Sequence, residues 1–241
     1  MAILRVFRWS EGASEHYDDF DIAPGPETTV LDALVEAQRT HDPTLAFRYA
    51  CRVGMCGSCA MVVNGRERWA CRTRLSSLGH KGASRTPAKP ITIRPLYHFP
   101  LIRDLVVDMS PFRQRMARIA GALAPGDNPE SYAIVSRDSN ERREIDAAIE
   151  CIGCGMCVSA CTITAHNERF PGPAALNRAY TLQMDHRDKE TDARWRVLLS
   201  DDALARCHGQ GNCTEVCPMD LSPSKSILRL RSMAVRSLLN L

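Results

Sequence analysis

All eleven cysteines of this 241-residue sequence fall into three groups with the spacing of metal–sulfur ligands. The groups begin at Cys51, Cys151 and Cys207, and they hold four, four and three thiols. The N-terminal residues MAILRVFRWSEG lack the long apolar run and the cleavage site of a signal peptide. In a reduced compartment, clustered cysteines are metal ligands or redox groups more often than disulfides. We therefore expect these thiols to bind metal.

The first group, CRVGMCGSC, has the C-x4-C-x2-C spacing of a plant-type [2Fe–2S] centre, and a fourth cysteine follows it. Gly54 and Gly57 let the loop bend tightly, so that backbone N–H groups can face the cluster sulfurs. Four zinc-binding cysteines are the alternative, although zinc sites usually show paired C-x2–4-C units. The predicted [2Fe–2S] ligands are Cys51, Cys56, Cys59 and Cys71.

Residues 60–70, AMVVNGRERWA, are predicted to form a β-hairpin that brings the fourth ligand back to the loop. The Asn64-Gly65 pair is a strong signal for a tight hairpin turn between two strands. A hairpin returns the chain close to its start, which places Cys71 near Cys59. Trp69 is expected to pack near this cluster.

The second group, CIGCGMCVSAC, has the C-x2-C-x2-C-x3-C spacing of bacterial ferredoxins. In two-cluster ferredoxins the fourth cysteine of this run ligates the other cluster. The third group, CHGQGNCTEVC, aligns with the second as an internal duplication. Its last cysteine, Cys217, is therefore expected to be the fourth ligand of the site formed by the first three cysteines of the second group. The predicted [4Fe–4S] ligands are Cys151, Cys154, Cys157 and Cys217.

The remaining site of this duplication has only three thiols. Gln210 stands where a cysteine matching Cys154 would be. Three thiolates suit a [3Fe–4S] cluster, and the loss of one negative ligand should raise its reduction potential. The alternative is a [4Fe–4S] cluster whose fourth iron binds water. The predicted [3Fe–4S] ligands are Cys161, Cys207 and Cys213.

The elements that must position these groups change type near residue 100. Strand-like runs and one helix, TVLDALVEAQ from Thr29, precede that point, and helical patterns follow it. We predict a domain over residues 1–102 and a helical one over 103–241. The predicted strands are ILRVFRW, DFDI, AMVV and PITIR. The predicted later helices include DLVVDM, PFRQRMARIAG and PAALNRAYTLQM. A last helix is predicted to begin with Ser222 as its N-cap and Pro223 in its first turn.

The remaining segments argue against a membrane-spanning or nucleic-acid-binding protein. GHKGASRTPAKP from Gly79 and APGDNPE from Ala124 are predicted loops, and no apolar run is long enough to span a bilayer. The net charge of +3 and the basic stretch RERWACRTR favour a solvated or partner-facing surface over nucleic acid. The C-terminal SILRLRSMAVRSLLNL either covers a core or lies on a membrane.

With the cysteines placed, the chain resembles the iron–sulfur subunits of succinate dehydrogenase and fumarate reductase along nearly its whole length. The resemblance implies an α+β fold, with an N-terminal β-grasp [2Fe–2S] ferredoxin domain followed by an all-α helical ferredoxin domain. The segments that carry it are FRYACRVGMCGSCAMVVNG from Phe47, FPLIRDLVVDMS from Phe99, CIGCGMC from Cys151, FPGPAAL from Phe170 and CTEVCP from Cys213.

The same resemblance implies partners and a location. It implies a flavoprotein subunit with bound FAD, and membrane-anchor subunits with a quinone site on the cytoplasmic face of a bacterial inner membrane. The three clusters would then carry electrons between FAD and quinone. The resemblance leaves open whether the anchor carries haem b, and in which direction the reaction runs.

One departure from the family concerns the quinone. Ubiquinone-linked members usually carry Pro and a Trp pair after the cysteine that matches Cys161, whereas this chain has TITAHN. Menaquinone is therefore favoured by analogy. His208 matches a family histidine beside the last cluster and, with His166, is a candidate quinone neighbour. A surface or loop histidine is the alternative for each.

Two other classes of function remain. The chain would look the same as the iron–sulfur subunit of another flavoprotein, such as a thiol- or methylmenaquinol-linked fumarate reductase. It would also fit a non-redox protein that holds zinc for structure. Copurifying chains distinguish the first alternative, and visible absorbance distinguishes the second.

Overall fold

A computed structural model describes residues 2–78, 89–126 and 135–238. The chain divides into two compact units. The first runs up to Met109 and also includes Ile152–Ser159, and the second comprises Ser110–Cys151 and Ala160–Leu241. The boundary expected between residues 102 and 103 stays a prediction. The loops predicted from Gly79 and Ala124 lie largely outside the described residues.

The first unit is built on a five-stranded mixed sheet in the order β2-β1-β5-β3-β4. Strand β1 pairs antiparallel with β2 and parallel with β5. In β1, Leu4 and Val6 are fully buried while Arg5 is exposed, as the two-residue period of a strand requires. The strands are β1 (Ala2–Arg8), β2 (His16–Ile22), β3 (Ala60–Val63), β4 (Arg66–Trp69) and β5 (Ile91–Arg94).

Helix α1 (Val30–Thr40) is the predicted helix of this unit. Thr29 caps it, because its hydroxyl accepts from the Asp32 N–H and the Asp32 carboxylate accepts from the Thr29 N–H. Leu31 and Leu34 on one face are buried in the core that also holds β1. A helix packed on a mixed sheet confirms the β-grasp expectation.

The predicted hairpin is confirmed. Strands β3 and β4 pair antiparallel, and Asn64 and Gly65 at the turn both have positive φ, 50° and 76°. The Ala70 N–H donates to the Cys59 carbonyl at 3.1 Å. The hairpin therefore returns the chain to the end of the cysteine loop, one residue before Cys71.

One predicted helix is wrong. DLVVDM, from Asp104, forms a turn and the short strand β7 (Val106–Val107), which pairs with β6 (Leu101–Arg103). Asp104 adopts a left-handed φ of 45°, and its carboxylate accepts from the Trp9 N–H at 3.0 Å and the Ala46 N–H at 2.8 Å. These distant partners fix an extended backbone that the local apolar pattern does not reveal.

Replacing Asp104 with alanine should destabilise the first unit by about 2–4 kcal/mol, because two backbone donors lose their acceptor. Asp104 is 2% exposed and accepts from the Trp9 and Ala46 N–H groups, and buried Arg8 loses one of its three carboxylate partners. The urea midpoint for loss of visible [2Fe–2S] absorbance measures the change. Asp19→Ala is the control, because the Arg5–Asp19 pair is exposed and contributes little to stability. Equal midpoints for the two variants would contradict the prediction.

The second unit is helical, as predicted from Pro111 onward. Helix α6 begins at Pro173 and packs against α9, which begins at Pro223. Its helices are α2 (Ser110–Arg118), α3 (Asn140–Ile145), α5 (Thr162–His166), α6 (Pro173–Gln183), α7 (Thr191–Leu198), α8 (Asn212–Glu215) and α9 (Pro223–Leu238), whereas α4 (Met156–Ser159) belongs to the first unit.

The position of helix α9 decides between the two roles predicted for the C-terminal segment, covering a core or lying on a membrane. Ile227 and Leu230 are buried in the core of the second unit, which also contains Leu176 of α6. The helix therefore covers a core, while Leu228 and Val235 remain exposed on its other side. Among the described helices, none has both the length and the apolar character needed to cross a bilayer.

Candidate functional site

The first cysteine group lies on the loop between α1 and β3, with its last member directly after β4. Cys59 and Cys71 are buried, and Cys56 is exposed. The Met55 N–H donates to the Cys51 sulfur at 3.3 Å, which is the backbone-to-sulfur contact expected for this loop. All four cysteines are free thiols.

Electrostatic interactions link these thiols to one another. The Ser58 hydroxyl, followed by the Cys51 backbone, lowers the pKa of Cys56 to about 6 through hydrogen bonds. Burial, with a smaller contribution from the neighbouring Cys71 thiol, raises the pKa of Cys59 to about 12. Such mutual effects require short distances, so the structure brings the predicted [2Fe–2S] ligands together.

Two glycines give the loop the shape that a cluster needs. Gly54 and Gly57 have left-handed φ values of 77° and 71°. A Cβ on Gly54 would lie 3.0 Å from both the Trp69 ring and the Arg72 side chain. The loop therefore lies directly on Trp69, as predicted, and has no room for larger residues at its bends.

Cys154 of the second cysteine group lies beside the first group. A Cβ on Gly57 would lie 2.7 Å from Cβ and 2.9 Å from Cα of Cys154, within the same compact unit. The Ser159 hydroxyl donates to the buried Glu67 carboxylate of β4 at 2.7 Å and accepts from the Tyr97 N–H at 2.9 Å. These contacts attach the segment with Cys154 to the sheet next to the [2Fe–2S] loop.

The predicted [4Fe–4S] ligands are divided between the units. Cys154 and Cys157 belong to the first unit, and Cys151 and Cys217 belong to the second. None of the four takes part in a disulfide within the described residues. Their assignment to one cluster stays a prediction from spacing and duplication.

The three cysteines predicted for the [3Fe–4S] cluster line one cavity in the second unit. Burial, together with the smaller effects of the charges of Cys161 and Cys207, raises the pKa of Cys213 to about 11. The other lining residues include both apolar and polar side chains, among them Ile163, Phe170, Pro173, His208, Gln210 and Asn212. The structure thus gathers three thiols around a space rather than around a packed core.

Gln210 lies at the rim of this cavity, in the position that a fourth cysteine would take. The Thr162 hydroxyl donates to its amide oxygen at 2.6 Å. Gly209 and Gly211, on either side, both have positive φ, so the loop bends sharply at this point. The Asn212 amide donates to the Ala160 carbonyl at 3.2 Å and ties the loop to the second cysteine group.

The two candidate histidines have different surroundings. His208 lines the three-cysteine cavity and is otherwise exposed. His166 is exposed at the end of α5 and is not among the described residues that line this cavity. Only His208 therefore has a position next to the predicted cluster.

Two arginines near the cavity were not predicted from the sequence. Arg231 of α9 donates to the carbonyls of Leu204 and Cys207, which holds the backbone beside one ligand. Arg115 of α2 is buried and interacts electrostatically with Cys161. Its three-residue spacing from Phe112, which places both on one face of α2, was the signal that could have predicted its burial.

The residues present fit iron–sulfur clusters. The first loop excludes side chains at its two bends, and Arg115, which interacts electrostatically with Cys161, has a buried nitrogen with no hydrogen-bond partner among the described residues. Both features match a bulky, negatively charged group with sulfur acceptors.

Family models match both halves of the chain. Residues 3–114 match a 2Fe-2S iron–sulfur cluster binding domain, and residues 147–221 match a 4Fe-4S dicluster domain. The second match covers the duplicated cysteine groups, in which this chain has seven cysteines.

Relatives cover almost the entire chain. The succinate dehydrogenase iron–sulfur subunit of Paracoccus denitrificans is 35% identical over 96% of this chain and 87% of its own. The mitochondrial succinate dehydrogenase (ubiquinone) iron–sulfur subunit of Candida glabrata is 34% identical over 95% of this chain and 89% of its own.

A solved structure agrees with these relatives. A chain of the Mycobacterium smegmatis Sdh1 complex in the apo form has a TM-score of 0.84 and 27% identity, over 98% of this chain and 96% of that chain. The order of a [2Fe–2S] ferredoxin domain and a helical cluster domain is thereby confirmed. The chain belongs to the family of succinate dehydrogenase iron–sulfur subunits, which transfer electrons through iron–sulfur clusters within a quinone-linked oxidoreductase.

Proposed function

We propose that this chain passes electrons between FAD of a flavoprotein partner and quinone in a membrane-anchor partner. The order is [2Fe–2S], [4Fe–4S], [3Fe–4S], and each cluster, when bound, takes up and releases one electron at a time. The observation that carries the proposal is the contact between Gly57 and Cys154, which places the first two cysteine loops against each other. Loops in contact keep the path between successive centres short.

The chain's own residues hold and insulate the clusters. Cys51, Cys56, Cys59 and Cys71 supply four thiolates to the [2Fe–2S] site, and the Met55 N–H donates to one of them. Cys151, Cys154, Cys157 and Cys217 form the [4Fe–4S] set. Cys161, Cys207 and Cys213 form the [3Fe–4S] set, and Gln210 gives that site no thiolate.

The missing thiolate is expected to raise the reduction potential of the [3Fe–4S] centre. Fewer negative ligands favour the reduced state, so the [3Fe–4S] centre is the better acceptor and suits the quinone end. EPR of the oxidised protein tests this nuclearity. The absence of an oxidised three-iron signal would instead favour a [4Fe–4S] cluster with a water-bound iron.

The surface around the first group suits the flavoprotein partner. Tyr49, Val53 and Met55 are exposed apolar residues on or beside this loop, with Met55 64% exposed. The chain lies peripherally on the cytoplasmic face of a bacterial inner membrane, held by anchor subunits. Because TITAHN follows Cys161 in place of the Trp pair, menaquinone is the favoured acceptor.

Anaerobic isolation of the complex tests the proposal. Iron and sulfide analysis should account for three centres, and EPR should show three kinds of cluster. Mass analysis of copurifying chains should find a flavoprotein and membrane subunits, and succinate should reduce quinone. Only two centres, or a single kind, would contradict it. A colourless preparation loaded with zinc would favour the structural alternative. A different flavoprotein partner would favour the related reductases.

His208→Ala should lower quinone reduction by about tenfold, roughly the contribution of one hydrogen bond. The imidazole lines the three-cysteine cavity and is exposed, so it can reach a quinone there. Succinate-dependent quinone reduction by the complex measures the loss, and reduction of a dye that accepts electrons upstream should not change. His166→Ala is the matched control. Unchanged quinone reduction in His208→Ala would remove this residue from the site.

A further inference from the structure

Helix α2 carries a buried arginine, Arg115. Phe112 and Arg115 are its buried residues, and Arg115 is only 6% exposed. A buried guanidinium costs free energy unless a negative partner compensates it, because burial removes its hydration. Burial, followed by the charge of Arg118, accordingly lowers the pKa of Arg115. Arginine nevertheless stays charged at physiological pH.

The groups that attract this cation include a ligand of the proposed [3Fe–4S] site. Cys161 and Glu168 both favour the charged guanidinium, and Cys161 has the larger effect. The Nη1 atom of Arg115 is buried and has no hydrogen-bond partner within the described residues. Buried donors are nearly always satisfied in native proteins, so this nitrogen is expected to have an acceptor that the described residues do not supply.

We infer that Arg115 sets the reduction potential of the three-cysteine centre by holding a fixed positive charge beside Cys161. The inference rests on the proposed function, since it needs the [3Fe–4S] cluster at this site. It also gives the unpaired Nη1 a negatively charged group to donate to. Charge-assisted bonds of this kind are stronger than neutral ones.

The physical reason is the balance of charge on reduction. One electron, delivered by the preceding cluster, adds one negative charge to the centre, and no bond is broken. A fixed cation stabilises the more negative state more than the oxidised one, and burial limits its screening by water and salt. Arg115 therefore raises the potential and adds to the effect of the missing fourth thiolate.

Other arginines nearby serve as comparisons. Arg113 lies on the same helix, is exposed, and donates to the Ser110 hydroxyl. Its charge is open to solvent and should be largely screened. Arg231 already uses its donors on the carbonyls of Leu204 and Cys207. Arg113→Gln therefore removes the same charge from the same helix without the buried geometry.

The test is an EPR-monitored redox titration of the assembled complex. Arg115→Gln should lower the reduction equilibrium constant of the three-iron centre by at least about tenfold, which is 59 mV for a one-electron couple. Arg115→Lys keeps the charge and should stay near the wild type, as should Arg113→Gln. The [2Fe–2S] and [4Fe–4S] potentials should not change. Arg115→Met removes the charge with a side chain suited to burial, and serves if the glutamine variant does not assemble.

Each outcome decides the inference. A lower three-iron potential in Arg115→Gln or Arg115→Met, with the lysine variant near the wild type, supports it. An unchanged potential overturns it and leaves the proposed function intact. Loss of the three-iron signal from both neutral variants, with the other clusters retained, overturns it in favour of a purely structural role. A wild-type complex without any three-iron signal overturns the proposed function together with the inference.

Discussion

Cysteine at position 210 is expected to convert the three-iron centre into a four-iron one. Gln210 lines the same cavity as Cys161, Cys207 and Cys213, and it occupies the position that matches Cys154 in the duplication. A thiolate there completes a four-ligand set. The iron content of Gln210→Cys should rise from about nine to about ten atoms per chain. Its oxidised three-iron EPR signal should be lost.

The same substitution should slow quinone reduction. The added thiolate brings negative charge to the centre and lowers its potential, so electrons pass less readily to the acceptor. Gln210→Ser is the matched control, because it also removes the amide that accepts from Thr162 but supplies no thiolate. The serine variant should keep the three-iron signal. A full three-iron signal in Gln210→Cys would show that the vacant ligand position is not at residue 210.

Alanine at position 57 is expected to disrupt the junction between the first two cysteine loops. Its Cβ would lie 2.7 Å from Cβ of Cys154, and the glycine has a left-handed φ of 71°. Overpacking costs about 1–3 kcal/mol and the left-handed backbone adds roughly 1–2 kcal/mol. We expect loss of both the [2Fe–2S] and the [4Fe–4S] EPR signals from much of the purified Gly57→Ala protein.

Gly65→Ala is the control that separates the cost of a left-handed backbone from the cost of the steric clash with Cys154. Gly65 has a similar φ of 76°, but a Cβ there would meet nothing within 4 Å. This control should cost only the backbone strain, roughly 1–2 kcal/mol, and should keep both clusters. If the two alanine variants have the same cluster content, close packing of Gly57 on Cys154 is not what limits assembly.

Local sequence patterns correctly predicted several elements of the fold. The hairpin at Asn64-Gly65 and the helix starts at Pro173 and Pro223 depend on neighbouring residues, so propensity and turn chemistry are enough to find them. The thiol spacings likewise specify the kinds of cluster, because ligand geometry limits how a short loop can surround iron. The wrong helix at Asp104 marks the limit of this reasoning. Its conformation is held by Trp9 and Ala46, which are distant in sequence.

The sequence by itself determined the number of thiols at each centre and the family, because both are recorded in residue type and spacing. Only the tertiary structure decided which groups surround those thiols. Residues 152–159 belong to the first unit through the bond between Ser159 and Glu67, 92 positions apart. Arg115, on helix α2, interacts electrostatically with Cys161, 46 positions further along the chain. Contacts between segments distant in sequence arise from packing the whole chain, and no local pattern contains them.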